Sequence, residues 1–118
     1  MEIETRIHDD RTVLRVKGAV AGKDVAQYSV QLEAVRDSPA KQLLVDLTHV
    51  TMLDSTVIGA TAYSNAILKK AGVNLVVLAP NRIKEIFALC NLDKAIRVIG
   101  TGEIISPEEL LATKGDVK

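Results

Sequence analysis

The chain has 118 residues, of which 47% are hydrophobic, so it suits one globular domain with a real core rather than a disordered chain. Its fifteen basic and fifteen acidic residues cancel, and it holds no Trp, one Phe and two Tyr. Binding to nucleic acid depends on phosphate neutralisation and base stacking, and this composition argues against both.

The first third of the chain is predicted to form a β-hairpin and a helix. Ile3, Thr5 and Ile7 alternate with charged residues, which indicates a half-exposed strand whose isoleucines face the core. A polar turn leads to a second strand over 12–17. Asp24 is then placed to cap a helix, whose apolar face comprises Val25, Tyr28, Leu32 and Val35.

Strands and helices alternate over the rest of the chain. Apolar runs predict strands over 43–47, 73–79 and 96–99. Helical patterns follow from Asp54 to Ala71, after Pro80, and from Ser106. The order β-β-α-β-α-β-α-β-α predicts an α/β fold with a mostly parallel sheet and about four helices. We expect one domain over residues 1–113 and a flexible tail over residues 114–118.

Two helical faces can be assigned from spacing. On the second helix one stripe comprises Val57, Ala60, Ser64, Ile67 and Ala71. The small residues beside it, Gly59, Ala62 and Ala66, predict close packing against the sheet. On the third helix Cys90 shares an apolar face with Ile83, Ile86 and Phe87, which indicates a core cysteine.

The residues that carry chemistry are few. The only histidines, His8 and His49, provide no evident base for a serine nucleophile, and Ser55 lacks the Gly-x-Ser-x-Gly frame. One cysteine and two distant histidines cannot form a zinc site, and no phosphate-binding loop is present. We therefore expect no catalytic residue, metal or cofactor. The single cysteine, the lack of a ~20-residue apolar run and the acidic N-terminus predict a cytoplasmic protein without membrane insertion.

The stretch from Met52 to Gly59 lies where a strand ends and a helix begins, an edge where ligands and partners often bind in α/β sheets. Asp54 or Ser55 is predicted to cap the helix. A further interpretation makes Ser55 an exposed phosphorylation site, where a group of about −1.5 to −2 charges beside Asp54 would repel a partner. Thr56 would lie next to it, and Met52 would add apolar contact.

These residues resemble a known family. Segments 44–47, 52–56, 71–75 and 78–80, together with Gly59, are similar to the STAS domain, and in particular to bacterial anti-sigma-factor antagonists. The resemblance implies a four- to five-stranded sheet with helices mainly on one face. It places the family's phosphorylated serine at Ser55. The implied partners are an anti-sigma factor that is also a serine kinase, which phosphorylation releases, and a serine phosphatase that resets the cycle; the protein itself would regulate transcription without catalysis.

The chain also departs from the family pattern. Val57-Ile58-Gly59 replaces Gly-Leu-Gly, and Ala19 and Ala21 replace acids that contact the kinase in the family. The same connection carries Lys23 and Asp24, which are further candidates for partner contact. Two alternatives therefore stay open. One is a non-phosphorylated scaffold or subunit of a stressosome or lipid-transport complex, and the other is an enzyme or small-molecule binder at the sheet edge.

Overall fold

The computed structural model describes residues 1–101, which form one five-stranded sheet in the order β1-β2-β3-β4-β5. β1 and β2 pair antiparallel, and the other neighbouring strands are parallel. The strands are β1 (Glu2–His8), β2 (Arg11–Val20), β3 (Gln42–Leu53), β4 (Asn74–Ala79) and β5 (Arg97–Gly100). The helices are α1 (Val25–Glu33), α2 (Ser55–Lys70) and α3 (Asn81–Leu89), with short 3₁₀ segments at Gly22–Asp24, Ala34–Asp37 and Leu92–Lys94.

The predicted fold class is confirmed by this topology. A hairpin opens the chain, and each later strand is reached through a helix, because parallel strands need a crossover connection. The apolar residues of α1, α2 and α3 all join one core cluster, so the three helices cover the same face of the sheet. The helix predicted from Ser106 and the tail over residues 114–118 lie outside the described residues.

The central strands are buried on both faces, which explains their uninterrupted apolar sequence. On β3, Leu43, Val45 and Leu47 join the main cluster beneath the helices. Leu44 points to the opposite face and joins a smaller cluster with Val13, Val76, Leu78 and Ile99. The sheet is thus the middle layer of the core, and β3 and β4 lie at its centre.

One polar residue of β3 is fully buried. Asp46 is 0% exposed, and one of its carboxylate oxygens accepts a hydrogen bond from Arg15 Nε at 3.0 Å. The other oxygen accepts from the backbone N–H and the hydroxyl of Thr48, at 2.9 and 2.7 Å. A buried charge needs such partners, so this pair ties β2 to β3 on the face away from the helices.

The prediction that both isoleucines of β1 face the core is wrong for Ile7. Ile3 packs partly against the main cluster, whereas Ile7 is 73% exposed. Both residues point to the helix-covered face, but β1 is the edge strand and the end of α1 does not reach over it. The period of two identified the correct face without showing how far the helices extend.

The apolar stripe of α2 is rotated from the predicted one. The buried residues are Val57, Ile58, Thr61, Ser64, Asn65 and Leu68. The predicted close packing through small residues is wrong for Gly59 and Ala66, which are exposed, whereas Ala62 is half-buried and packs against the main cluster. Thr61 and Asn65 are buried because each finds a hydrogen-bond partner, Val57 O for the former and Ala95 O for the latter.

The expectation that Cys90 is a core residue is also wrong. α3 ends at Leu89, and Cys90 is its exposed C-cap residue. The next residue, Asn91, adopts a left-handed conformation with φ 60°, which ends the helix before Cys90 can turn inward. Ile83 and Phe87 do form the buried face, as predicted.

Tyr28 on α1 belongs to the main cluster, and its ionisation can report how well this core excludes water. Its side chain is fully buried, and its hydroxyl lies 2.7 Å from Thr61 Oγ1, which itself donates to Val57 O, so Tyr28 is the donor. Burial raises the pKa of Tyr28 to about 12. A raised pKa stabilises the fold fully below the ordinary value of 10.0, and this contribution is lost as the pH rises towards 12.

We expect Tyr63→Phe, which leaves Tyr28 as the sole tyrosine, to show phenol ionisation only near pH 12 or together with alkaline unfolding. Tyrosinate absorbance measured alongside circular dichroism checks this. Tyr28→Phe, which reports Tyr63 alone, is the control. Ionisation of Tyr28 near pH 10 in folded protein would contradict the burial.

Candidate partner-binding surface at the start of helix α2

The central stretch forms a direct junction between β3 and α2. β3 continues to Leu53, well beyond the predicted end at Leu47, because β2 extends alongside it and pairs as far as Val20 with Leu53. Asp54 alone separates the strand from the helix. The first residue of α2 is therefore held at the carboxyl end of a central strand, the edge predicted from the sequence.

Asp54 is the N-cap of α2, which confirms one of the two predicted caps. Its Oδ1 accepts the backbone N–H groups of Thr56 at 3.1 Å and Val57 at 3.3 Å, together with a short hydrogen bond from the Thr56 hydroxyl. The hydroxyl of Thr56 is the largest cause that lowers the pKa of Asp54, and partial desolvation opposes it. Asp54 therefore stays ionised at neutral pH, and it already occupies the N–H groups of Thr56 and Val57, which could otherwise bind another anion.

The second carboxylate oxygen of Asp54 reaches the connection between β2 and α1. It accepts the N–H of Gly22 at 2.8 Å. A Cβ on Gly22 would lie 3.4 Å from the Thr56 hydroxyl, an ordinary van der Waals distance, so the approach does not depend on glycine. This hydrogen bond brings the segment with Lys23 and Asp24 beside the start of α2.

Asp24 does not cap α1 through its side chain. It belongs to the 3₁₀ segment Gly22–Asp24, and its carboxylate accepts the N–H of Ala21 at 3.0 Å. Because this 3₁₀ segment precedes α1, the Asp24 carboxylate bonds the start of that segment instead of the first turn of α1. Its carboxylate therefore orders the connection from within and is half-buried, while Lys23 is exposed.

The two hydroxyls after Asp54 have different environments. Thr56 is exposed, but its hydroxyl donates to Asp54. Ser55 is exposed as the first residue of α2, and its hydroxyl makes no hydrogen bond within residues 1–101. Of the two, only Ser55 presents a hydroxyl that could be modified without first breaking the cap.

We define the Ser55 surface as five exposed residues around this junction: Ala19, Lys23, Met52, Ser55 and Thr56. Ala19 and Met52 are backbone partners across β2 and β3, and Met52 is 54% exposed. The structure thus brings together the predicted Lys23, Met52, Ser55 and Thr56, with Asp54 half-buried beneath them. Asp24 borders the surface rather than joining it.

Sequence reasoning missed the extension of this surface along α2. Gly59 and Tyr63 follow Ser55 at intervals of four residues, and both are exposed. Tyr63 is 68% exposed, a large aromatic side chain beside small neighbours. The spacing signals one helix face, but the small residues on this face were predicted to pack against the sheet.

Within residues 1–101, no hydrogen bond joins a histidine to Ser55. His49 is exposed, and its Nδ1 lies 3.1 Å from the Thr48 hydroxyl. Within residues 1–101, three or more residues able to bind a metal do not cluster. Separately, no helix in that part of the chain has the length and apolar character needed to cross a membrane.

Residues 3–101 match the sequence profile of the family described as Mlab, STAS domain. The match covers most of the chain and all five strands, so the protein belongs to this family of STAS domains. A comparison with curated proteins found no significant match.

Solved structures with the same fold include three anti-sigma factor antagonists. One from Mycobacterium paratuberculosis has 20% sequence identity and a TM-score of 0.78, over 95% of this chain and 92% of that chain. One from Thermotoga maritima, described as putative, has 15% identity and a TM-score of 0.77, over 93% and 92%. The phosphorylated form of SpoIIAA from Bacillus has 13% identity and a TM-score of 0.72, over 99% and 100%. At these identities the likeness establishes the fold.

The cap at Asp54 can be tested by two substitutions. Asp54→Ala removes the acceptor for the helix and for Gly22, so we expect the melting temperature to fall by several degrees. Asp54→Asn keeps an acceptor for the helix but replaces the oxygen that bonds Gly22, so we expect a smaller fall. Thermal unfolding followed by circular dichroism measures both.

The pH dependence of stability shows whether the negative charge of Asp54 contributes to the cap. Because the pKa of Asp54 is lowered from its ordinary value of 3.8, its stabilising effect is present above that pH and is lost as the pH falls through the folded-state pKa. The difference between the parent protein and Asp54→Asn should therefore shrink under acidic conditions. A difference that persists unchanged at lower pH would contradict a charged cap.

Proposed function

We propose that the protein is a regulatory binding module of the anti-sigma-factor-antagonist type. Its Ser55 surface binds an anti-sigma factor that is also a serine kinase, and phosphorylation of Ser55 releases that partner. A serine phosphatase would restore binding. The observation that supports this proposal is the difference between the two hydroxyls: Ser55 is exposed and unpaired within residues 1–101, whereas Thr56 donates to Asp54.

The Asp54 cap determines where a phosphoryl group on Ser55 would place its charge. The N–H groups of Thr56 and Val57 already bond Asp54, so a phosphoryl group on Ser55 would not draw them into a new anion site. It would face solvent and add about −1.5 to −2 charges to the ionised Asp54. The negative charge would thus concentrate on the surface that meets the partner, with no hydrogen bond of the described fold replaced.

Such a surface can act as a switch because fold and interface respond differently. The core lies beneath Asp54, on Val57 and Ile58, and a phosphoryl group on Ser55 would not enter it. A partner surface that is acidic or apolar would lose affinity through repulsion and desolvation. A loss of about 4 kcal/mol would lower the affinity by roughly a thousandfold. The protein would act by binding alone, in the cytoplasm, without catalysis of its own.

A second candidate is a constitutive subunit that uses the same surface without phosphorylation, in a stressosome or a lipid-transport complex. Ala19 supports it, because this residue is exposed beside Met52 where the family resemblance expects an acid that contacts the kinase. The exposed Tyr63 further along α2 would suit a permanent interface, since aromatic residues are enriched at interface centres.

We expect Ser55→Asp to weaken capture of the partner from lysate of the source cells by more than tenfold, while Ser55→Ala retains it. Asn74→Asp is the matched control, because Asn74 is exposed at the start of β4. The Ser55 surface lies at the other edge of the sheet, where the parallel strands end. Quantitative mass spectrometry of the captured proteins measures the ratio. Equal capture by Ser55→Asp would reject the switch and favour the constitutive subunit.

The modification itself is tested on protein purified from its own cells. Intact mass should show a fraction heavier by one phosphoryl group, and peptide mapping should place it on Ser55. A phosphate on Thr56 instead would contradict the assignment, since that hydroxyl is held by Asp54. Absence of the modified species under several growth conditions would likewise support the second candidate.

A further inference from the structure

The outer edge of β1 is a second feature of the surface that the proposed function does not use. β1 is seven residues long and pairs with β2 in unbroken register from Glu2 opposite Lys17 to His8 opposite Arg11. It has no proline and no bulge, and within residues 1–101 its other side pairs with no strand. The opposite edge strand, β5, has only four residues. A long regular edge is a ready template for another strand.

The hairpin determines which backbone groups face outward. His8 and Arg11 flank the two-residue turn Asp9-Asp10, and such turns close on a hydrogen-bonded pair. Because hydrogen-bonded pairs alternate along an antiparallel ladder, every second residue of β1 bonds β2. The residues whose N–H and C=O groups point away from β2 are then Ile3, Thr5 and Ile7.

We propose that β1 pairs antiparallel with β1 of a second copy of this chain, about a two-fold axis at Thr5. This register sets Thr5 opposite Thr5 and Ile3 opposite Ile7, so the three outward-facing residues each exchange both backbone hydrogen bonds. The two sheets join into one continuous sheet, and the helices of both copies lie on the same face. Such a self-complementary contact is the usual form of a homodimer.

The charges of β1 favour this register. About Thr5, each Glu4 lies opposite Arg6 of the other copy, and each Glu2 lies opposite His8. A shift to an axis at Glu4 would instead oppose two glutamates and would set Ile7 opposite Met1, which lies before the strand. Glu4 also bonds Lys17 at 3.0 Å, a contact that lowers its pKa and keeps it ionised. Opposite charges facing each other across strands stabilise a pair, and like charges destabilise it.

The apolar side chains agree with the same arrangement. Ile7 is 73% exposed next to a cavity of about 160 Å³ that Leu14 and Val35 also line, between the hairpin and the end of α1. In the dimer, Ile3 of the other copy lies opposite Ile7 on this face. The pairing therefore covers the exposed apolar side chain of β1, which no helix of its own chain covers among the described residues.

Charge exchange tests the register. Arg6→Glu places two pairs of glutamates face to face, and Glu4→Arg places two pairs of arginines. We expect each variant alone to dimerise at least about tenfold more weakly than the parent, and an equimolar mixture to form a heterodimer of near-parental affinity, because arginine at 4 then opposes glutamate at 6. Sedimentation equilibrium of the full chain measures all three samples. Lys94→Glu, the same charge change at an exposed site away from β1, is the control and should dimerise like the parent.

A backbone substitution tests the same edge without changing charge. Thr5→Pro removes an outward N–H, which the hairpin does not need, so the variant should fold and fail to dimerise, whereas Thr5→Val should dimerise. A parent protein that stays monomeric up to millimolar concentration would overturn the proposal. So would a dimer that Arg6→Glu and Thr5→Pro leave intact. The result is independent of Ser55, because none of these substitutions touches the Ser55 surface.

Discussion

The arrangement of the Ser55 surface depends on the hydrogen bonds that the Asp54 carboxylate accepts. One oxygen holds the first turn of α2, and the other holds Gly22 in the connection before α1. These two segments are 32 residues apart in the chain. Since each oxygen has its own partners, the helix start and the neighbouring connection are positioned by a single charged group.

The position of Ser55 follows from that contact. A serine at the first position of a helix would ordinarily share the anion-binding N–H groups of the helix start. Here Asp54 occupies the N–H groups of Thr56 and Val57, and Thr56 donates its hydroxyl to the same carboxylate. The hydroxyl of Ser55 is left facing solvent. A modification there adds charge to the surface while the cap and the core beneath it keep their contacts.

The Ser55 surface and the outer edge of β1 are attached to different parts of the sheet. β3 and β4 are buried on both faces and anchor α2, so the Ser55 surface is attached to the best-packed part of the fold. Among the described residues, the edge strand β1 pairs with β2 alone. An interface on β1 and an interface on α2 can therefore coexist, because neither uses the residues or the packing of the other.

Periodicity predicted the strands and helices well where one face is buried and the other is exposed, as for Tyr28 and Leu32 on α1 or Ile83 and Phe87 on α3. Periodicity failed where burial depends on how far a helix extends over the sheet. Ile7 has the correct face but no helix above it, and Cys90 follows a helix that ends one residue earlier. On α2 the spacing alone did not distinguish the stripe through Thr61 and Asn65 from its neighbour, because polar residues become core residues only when they find partners.

The sequence by itself determined the α/β class, the mostly parallel sheet, the strand-to-helix junction and Ser55 as its candidate residue. These follow from local patterns: alternation, apolar runs and the short polar residues that begin helices. Only the tertiary structure decided which hydroxyl is left unpaired within residues 1–101, that Gly22 and Lys23 lie beside it, and that β1 has an open edge among the described residues. Those features depend on contacts between segments distant in the chain, such as the bond from Gly22 to Asp54, and local sequence carries no record of which distant groups will meet.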